Sequence, residues 1–168
     1  MTPFSTETLY SGTYFRSRLE ARWAVFMDCA GIEWSYEPAW VNIKFPGGVE
    51  INWRPDFLLE DGRWVEVKGS LDERAHERLL LIAESVGDVV VLGRIPQDGW
   101  HWPVQLHRCD DGELWAVPWR LDVGCPIAGR RPRLRSAGAT IQKLLDGVLA
   151  GQPEWAEAPL IAARSARF

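Results

Sequence analysis

Two extended segments flank Glu60-Asp61-Gly62-Arg63, and the length of the turn between them constrains the fold more than any other feature. Residues 49–59 and 64–67 are rich in β-branched and aromatic side chains, as strands are. Side chains alternate between the two faces of a strand, so the turn length decides which residues share a face. A two-residue Asp61-Gly62 turn would pair Phe57 with Glu66 and leave Asp56 on the opposite face from Glu66. A three-residue loop, Glu60-Asp61-Gly62 with Gly62 in the left-handed conformation, pairs Leu59 with Arg63 and Asp56 with Glu66. Lys68 then follows on the Glu66 face. The chemistry of this segment therefore depends on an odd loop, or on an equivalent bulge near Pro55.

Two carboxylates and a lysine on one face form a coherent chemical set. Magnesium prefers oxygen ligands, keeps several of its waters and needs only one or two carboxylates. Asp56 and Glu66 would supply them, with the Val67 carbonyl as a further ligand. A bound ion acidifies its water and offsets charge on a phosphate. Lys68 would orient or help deprotonate that water, or stabilise the charged transition state. Gly69 ends the strand without a side chain near the substrate. A bare Glu-x-Lys is common on surface hairpins. The full string Arg54-Pro55-Asp56-Phe57…Val65-Glu66-Val67-Lys68-Gly69 with apolar flanks is far more specific.

That string resembles the PD-(D/E)xK nuclease superfamily. Together with Phe15-Arg16-Ser17-Arg18-Leu19-Glu20-Ala21-Arg22-Trp23-Ala24 and Trp34-Ser35-Tyr36-Glu37-Pro38, it is similar to nucleases found in actinobacteria and their phages. The resemblance spans residues 14–96. It implies a restriction-endonuclease-like α/β fold, a central mixed β-sheet flanked by helices. It also implies metal-dependent phosphodiester hydrolysis of DNA in repair, recombination or phage and mobile-element DNA processing. The cofactor would be Mg²⁺, with Mn²⁺ as a substitute; RNA is the other substrate this chemistry admits. By the same resemblance Glu20 is an active-site acid. Its alternative is a helix-surface glutamate paired with Arg16 one turn earlier. Glu37 either reaches the acidic cluster or bridges to an arginine. A catalytically silent nuclease fold that binds nucleic acid or acts in assembly is the rival reading.

The rest of the chain fits such a core. Residues 14–30 place Phe15, Leu19, Trp23, Phe26 and Ala30 at helical spacing, closed by Gly31. Residues 34–38 read as the first strand of the sheet. Residues 72–86 predict a second helix, with Leu79, Leu80, Ile82, Ala83 and Val86 as its apolar face and Arg74, Glu77 and Arg78 available to a substrate. Val89–Leu92 is a short apolar run suited to a buried strand parallel to the Glu-x-Lys strand. Farther on, 104–108 and 113–117 suggest a hairpin about Asp111-Gly112, extending the sheet or packing on its edge. Residues 137–149 and 154–168 suggest two helices. The expected division is a nuclease-like domain over 1–125 (core 14–96, sheet extension 97–125) and a basic linker with a helical extension over 126–168.

Composition sets the outer limits. The chain has 168 residues, 46% of them apolar, enough to build a hydrophobic core. A net charge of −4 does not announce a nucleic-acid binder. Local basic groups compensate: Arg16, Arg18 and Arg22 on the first helix, Arg54 beside Asp56, and the run Arg130-Arg131-Pro132-Arg133, which either grips phosphates or is a solvated linker. Three cysteines without a close pair fit a reducing compartment, and the absence of a long apolar run or signal peptide suggests a cytoplasmic location. His101, His107, Cys109 and Cys125 match no standard zinc spacing. Of the ten tryptophans, Trp23, Trp34, Trp64 and Trp115 read as core. Trp100, Trp102 and Trp119 flank prolines and are either core or platforms for unpaired bases. A homodimer would supply the two active sites that symmetric cutting of both strands needs.

Overall fold

The computed structural model describes residues 6–45, 47–97, 101–108, 114–121, 148–149 and 152–168. A mixed six-stranded sheet forms its centre. In spatial order the strands are β11 (Leu114–Pro118), β10 (Val104–Arg108), β8 (Val89–Leu92), β7 (Trp64–Val67), β6 (Phe57–Leu59) and β3 (Trp34–Tyr36). Among the described strands only β7 and β8 pair in parallel, in the register Glu66↔Val91 and Val67↔Leu92. Helix α2 (Glu73–Val86) is the crossover that a parallel pair requires, and it opens on the Asp72 side chain as N-cap.

Alternation along these strands sorts the core into two clusters, one on each face. Phe57, Leu59, Val65, Val67, Val90 and Leu92 pack with α1 (Arg18–Cys29) through Trp23, Phe26 and Met27. Val89, Val91, Val104 and Leu106 pack with α2 through Leu79, Ile82 and Ala83. The second face is also covered by a separate two-stranded hairpin, β4 (Val41–Lys44) and β5 (Glu50–Trp53). A further hairpin, β1 (Thr8–Tyr10) and β2 (Thr13–Phe15), precedes α1 and turns through Ser11 and Gly12, both at positive φ. The two-residue strands β9 (His101–Trp102) and β12 (Val148–Leu149) pair with each other.

The pivotal hairpin takes the odd register. Phe57 pairs with Val65 and Leu58 with Trp64, and the Leu59 N–H donates to the Arg63 carbonyl at 3.0 Å. Gly62 sits at φ +87°, the left-handed position such a loop demands. Arg63 is buried and pins the loop: its guanidinium donates to Asp61, to Gln105 Oε1 at 3.1 Å and to the Arg120 carbonyl. Although burial opposes it, Arg63 holds the Asp61 carboxyl below its usual range.

Several expectations need correction. The first helix begins at Arg18 rather than residue 14, because Phe15 belongs to β2 and Ser17 caps the helix. Residues 49–59 are two strands: Pro55 has no N–H to continue a ladder, so 50–53 folds back on β4 and only 57–59 joins the sheet. The hairpin beyond β8 does extend the sheet, with Arg108 paired to Leu114. Asp111 and Gly112 themselves lie outside the described residues. Val148 and Leu149, expected in a helix, form a strand, and 137–147 lie outside the described residues. Trp102 and Trp119, by contrast, take the core reading rather than the base-platform one. Both are 1% exposed, with rings stacked at 6.1 Å in a cluster with Trp23, Phe26 and Trp155.

The last helix, α3 (Glu157–Ser165), packs on α1, and Ala156, Leu160 and Ala163 share the first core cluster. Its removal would open that cluster. Leu160→Ala is expected to destabilise the whole chain by about 2–5 kcal/mol in urea unfolding, with one cooperative transition followed by far- and near-ultraviolet circular dichroism.

Candidate active site

The site forms where β6 leaves the sheet. β7 directs alternate amides to its two neighbours: the Lys68 N–H donates to the Leu92 carbonyl at 2.8 Å, on the β8 side. The Val67 N–H faces the other way, where β6 has ended at Phe57. The side chain of Asp56 fills the vacancy, and its Oδ2 accepts from the Val67 N–H at 2.7 Å. The Asp56 N–H meanwhile donates to the Val65 carbonyl at 3.0 Å. Asp56 is thus fixed against the strand that carries Glu66 and Lys68, and it is 2% exposed.

Each carboxylate oxygen has a defined partner. Asp56 Oδ1 receives the Arg16 guanidinium at 2.6 Å. Glu66 Oε1 lies 2.6 Å from Lys68 Nζ, and its Oε2 accepts from the Trp53 indole at 2.9 Å. Burial pushes the Asp56 carboxyl up to about 7, and the charge of Glu66 adds to the effect. Arg16 also reaches Glu37 Oε1 at 2.6 Å, and Arg54 meets the same oxygen at 2.9 Å. Burial lowers the affinity of Arg16 for its proton, but Tyr36, Asp56, Glu37 and Glu20 outweigh this and hold the charge on.

Glu20 comes from the helix on the opposite face of the sheet. It is tied to the N-cap Ser17: the Glu20 N–H donates to Ser17 Oγ at 3.1 Å, and Ser17 Oγ donates to Glu20 Oε1 at 2.9 Å. Glu20 Oε2 accepts from the Tyr36 hydroxyl at 2.6 Å and the Arg16 N–H at 3.1 Å. Its negative charge raises the Asp56 carboxyl as well. Glu20 is buried rather than on the helix surface, and the Arg16 guanidinium bridges to Glu37 and Asp56. Glu37 itself bridges two arginines, and its backbone sits at φ +44°, an unusual conformation for a residue other than glycine.

Above these groups opens a cleft of about 710 Å³, lined by Arg16, Arg54, Lys68, Arg74 and Arg78 against Glu50, Glu66 and Asp72. Arg74 and Arg78 lie one turn apart on α2. The structure therefore gathers Glu66, Lys68, Arg16 and Arg54 at one cleft, with Asp56 directly behind Arg16 and Glu20 joined through Arg16 and Tyr36. Arg130, Arg131 and Arg133 lie outside the described residues. Sequence reasoning missed Tyr36, Trp53 and Trp40. Ser17-x-x-Glu20 before an apolar run was a readable capping signal; nothing local marked the others.

The donor set suits a hard divalent ion. Asp56 and Glu66 are buried acids, the charge of Glu66 raises the Asp56 carboxyl, and each already holds a protein cation on one oxygen. Among the described residues, no group of three or more His, Cys, Asp or Glu forms a metal site, so any ion would rest on two carboxylates, backbone oxygen and water.

Paired acids and a lysine beneath a basic cleft define a site suited to phosphodiester chemistry. The chain belongs to the phage endonuclease I family, whose model matches residues 1–92, more than half of its length and the whole of this cluster. That membership marks it as a nuclease of phage type. A search of the curated proteins and of the solved structures found no match. No helix among the described residues is long and apolar enough to cross a membrane.

The Tyr36–Glu20 bond has a measurable signature. Burial and the Glu20 hydrogen bond raise the Tyr36 hydroxyl to about 12. Between the unfolded value near 10 and that folded value, the native state holds a proton the unfolded chain has lost. The contribution is full below about pH 10 and fades as pH rises towards 12. Tyr36→Phe is expected to flatten the alkaline fall in melting temperature over that range.

Proposed function

We propose that this chain is a metal-dependent DNA nuclease of the PD-(D/E)xK type, hydrolysing phosphodiester bonds with a metal-activated water. The observation that carries the reading is the Asp56 carboxylate on the Val67 N–H, in a register that places it beside Glu66 and Lys68. Family membership supports endonuclease activity, and the basic cleft supports a polyanionic substrate.

Asp56, Glu66 and the Val67 carbonyl would hold Mg²⁺, or Mn²⁺ in its place. The ion would acidify a water and offset charge on the scissile phosphate. Trp53 orients Glu66 by its indole N–H. Lys68 is positioned beside Glu66 to orient the attacking water and to meet the charge that develops on the phosphate. Arg16 neutralises Asp56 and would turn to a phosphate oxygen once another cation takes its place. Glu20, through Arg16 and Tyr36, completes the acidic cluster as a positioning residue. Arg54, Arg74 and Arg78 line the cleft that the backbone would follow, and the sequence run Arg130-Arg131-Pro132-Arg133 is a candidate for further phosphate binding.

A panel of single-stranded, duplex, flapped and four-way-junction DNA, with a matching RNA, tests this directly. The wild-type chain is expected to cut DNA only with Mg²⁺ or Mn²⁺. Lys68→Ala and Glu66→Ala should each lower the rate at least about a hundredfold while retaining binding in fluorescence anisotropy. Binding with no cutting by the wild type would instead support a silent nuclease fold.

A further inference from the structure

Trp40 is the one exposed tryptophan among the described residues, with 65% of its surface open. The other described tryptophans are buried or half-buried, and their rings account for much of the core. Trp40 lies in the cleft wall among Arg16, Arg54, Lys68, Arg74 and Arg78. The Arg54 guanidinium covers one side of its ring, 5.1 Å from the centroid. A large aromatic left in water beside five cations is placed for a ligand with both a flat π-face and negative charge. Nucleotides have both.

The ring is also tied to the acidic cluster. Arg54 bonds Glu37 Oε1, Glu37 bonds Arg16, and Arg16 bonds Asp56 Oδ1. The Glu37 N–H donates to the Asp56 carbonyl at 2.9 Å, and Glu37 keeps its positive φ in this arrangement. Residues held in such conformations persist where their surroundings over-determine them. Continuous contacts thus run from Trp40 to the carboxylate that would face the cut.

Resting on the nuclease reading, we propose that Trp40 stacks on an unpaired nucleobase flanking the scissile phosphate, with Arg54 supporting the ring from behind. A base inside a duplex has both faces covered by its neighbours, so the ring can accept only one that is unpaired or turned out of the stack. Stacking of this kind is tolerant of base identity, since every base offers a π-face. Trp40 therefore selects DNA by local exposure of a base, and Arg54, Arg74 and Arg78 bind its phosphates without regard to sequence.

The test is equilibrium binding in EDTA, which prevents cutting. One duplex carries a single bulged 2-aminopurine, and its control carries an abasic residue at that position. The wild type should quench the 2-aminopurine and bind the bulged duplex about tenfold more tightly than the abasic one. Trp40→Ala should abolish both effects, and Trp40→Phe should keep most of them. Unchanged quenching and preference in Trp40→Ala would overturn the proposal. So would an equal loss of affinity for both duplexes, which would assign Trp40 to the shape of the cleft. A parallel cleavage assay with Mg²⁺ separates this from the nuclease reading. A wild type that cuts DNA without any preference for the exposed base refutes the stacking role alone. A wild type that neither binds nor cuts refutes both.

Discussion

One hydrogen bond organises the site. The Val67 N–H needs an acceptor on the side where β6 has departed, and it takes the Asp56 carboxylate rather than a backbone carbonyl. A buried amide without a partner would cost about 1–3 kcal/mol. The requirement that makes a sheet cohere therefore also draws an acid into the position a metal ligand would need. The short β6, the proline before Asp56 and the three-residue loop with Gly62 all serve this substitution. A loop one residue shorter would turn Asp56 towards α1 and leave Glu66 alone beside Trp53.

Once set, the acids organise the charge around them. Asp56 and Glu66 are both buried, the charge of Glu66 opposes ionisation of Asp56, and Arg16 and Lys68 answer with one cation each. Neither cation is locked away. Arg16 and Lys68 both line the cleft, and the Arg16 side chain is half exposed. Removing one partner of such a pair leaves an uncompensated charge in a poorly solvated place. On the proposed function, an ion would take the place of one of these side chains at the carboxylates. The two clusters of apolar side chains give the site rigid support, one on each face of the sheet.

The centre of the fold was legible because its signals are local. Apolar alternation and turn chemistry placed β6, β7, α2 and β8, and the parallel β7–β8 pairing followed from the helix between them. Asp56, Glu66 and Lys68 were legible for the same reason, since their juxtaposition depends only on a loop count. What failed depended on distant partners. Phe15 has helical spacing with Leu19 and Trp23, yet β1 claims it for a strand. For Trp102 and Trp119 the core reading applies, but the partners that enclose them, Trp23, Phe26 and Trp155, are distant in sequence. Trp40 carries no local mark at all. Its exposure and its contact with Arg54 arise only when β5 folds back on β4 and brings residue 54 beneath the ring. Glu20 lies between these cases: its capping role is written in Ser17-x-x-Glu20, whereas its link to Tyr36 needs the β3 strand in place.

The most direct measurement is Mn²⁺ binding followed by electron paramagnetic resonance, on the wild type and on Asp56→Asn. Asparagine keeps an oxygen that can accept the Val67 N–H while removing the carboxylate charge, so the fold is preserved in the comparison. The wild type should sequester Mn²⁺ at a saturable site that Mg²⁺ displaces, and Asp56→Asn should weaken that binding at least tenfold. Equal binding by both proteins, or none by the wild type, would contradict a divalent-ion site built on the Asp56–Val67 bond.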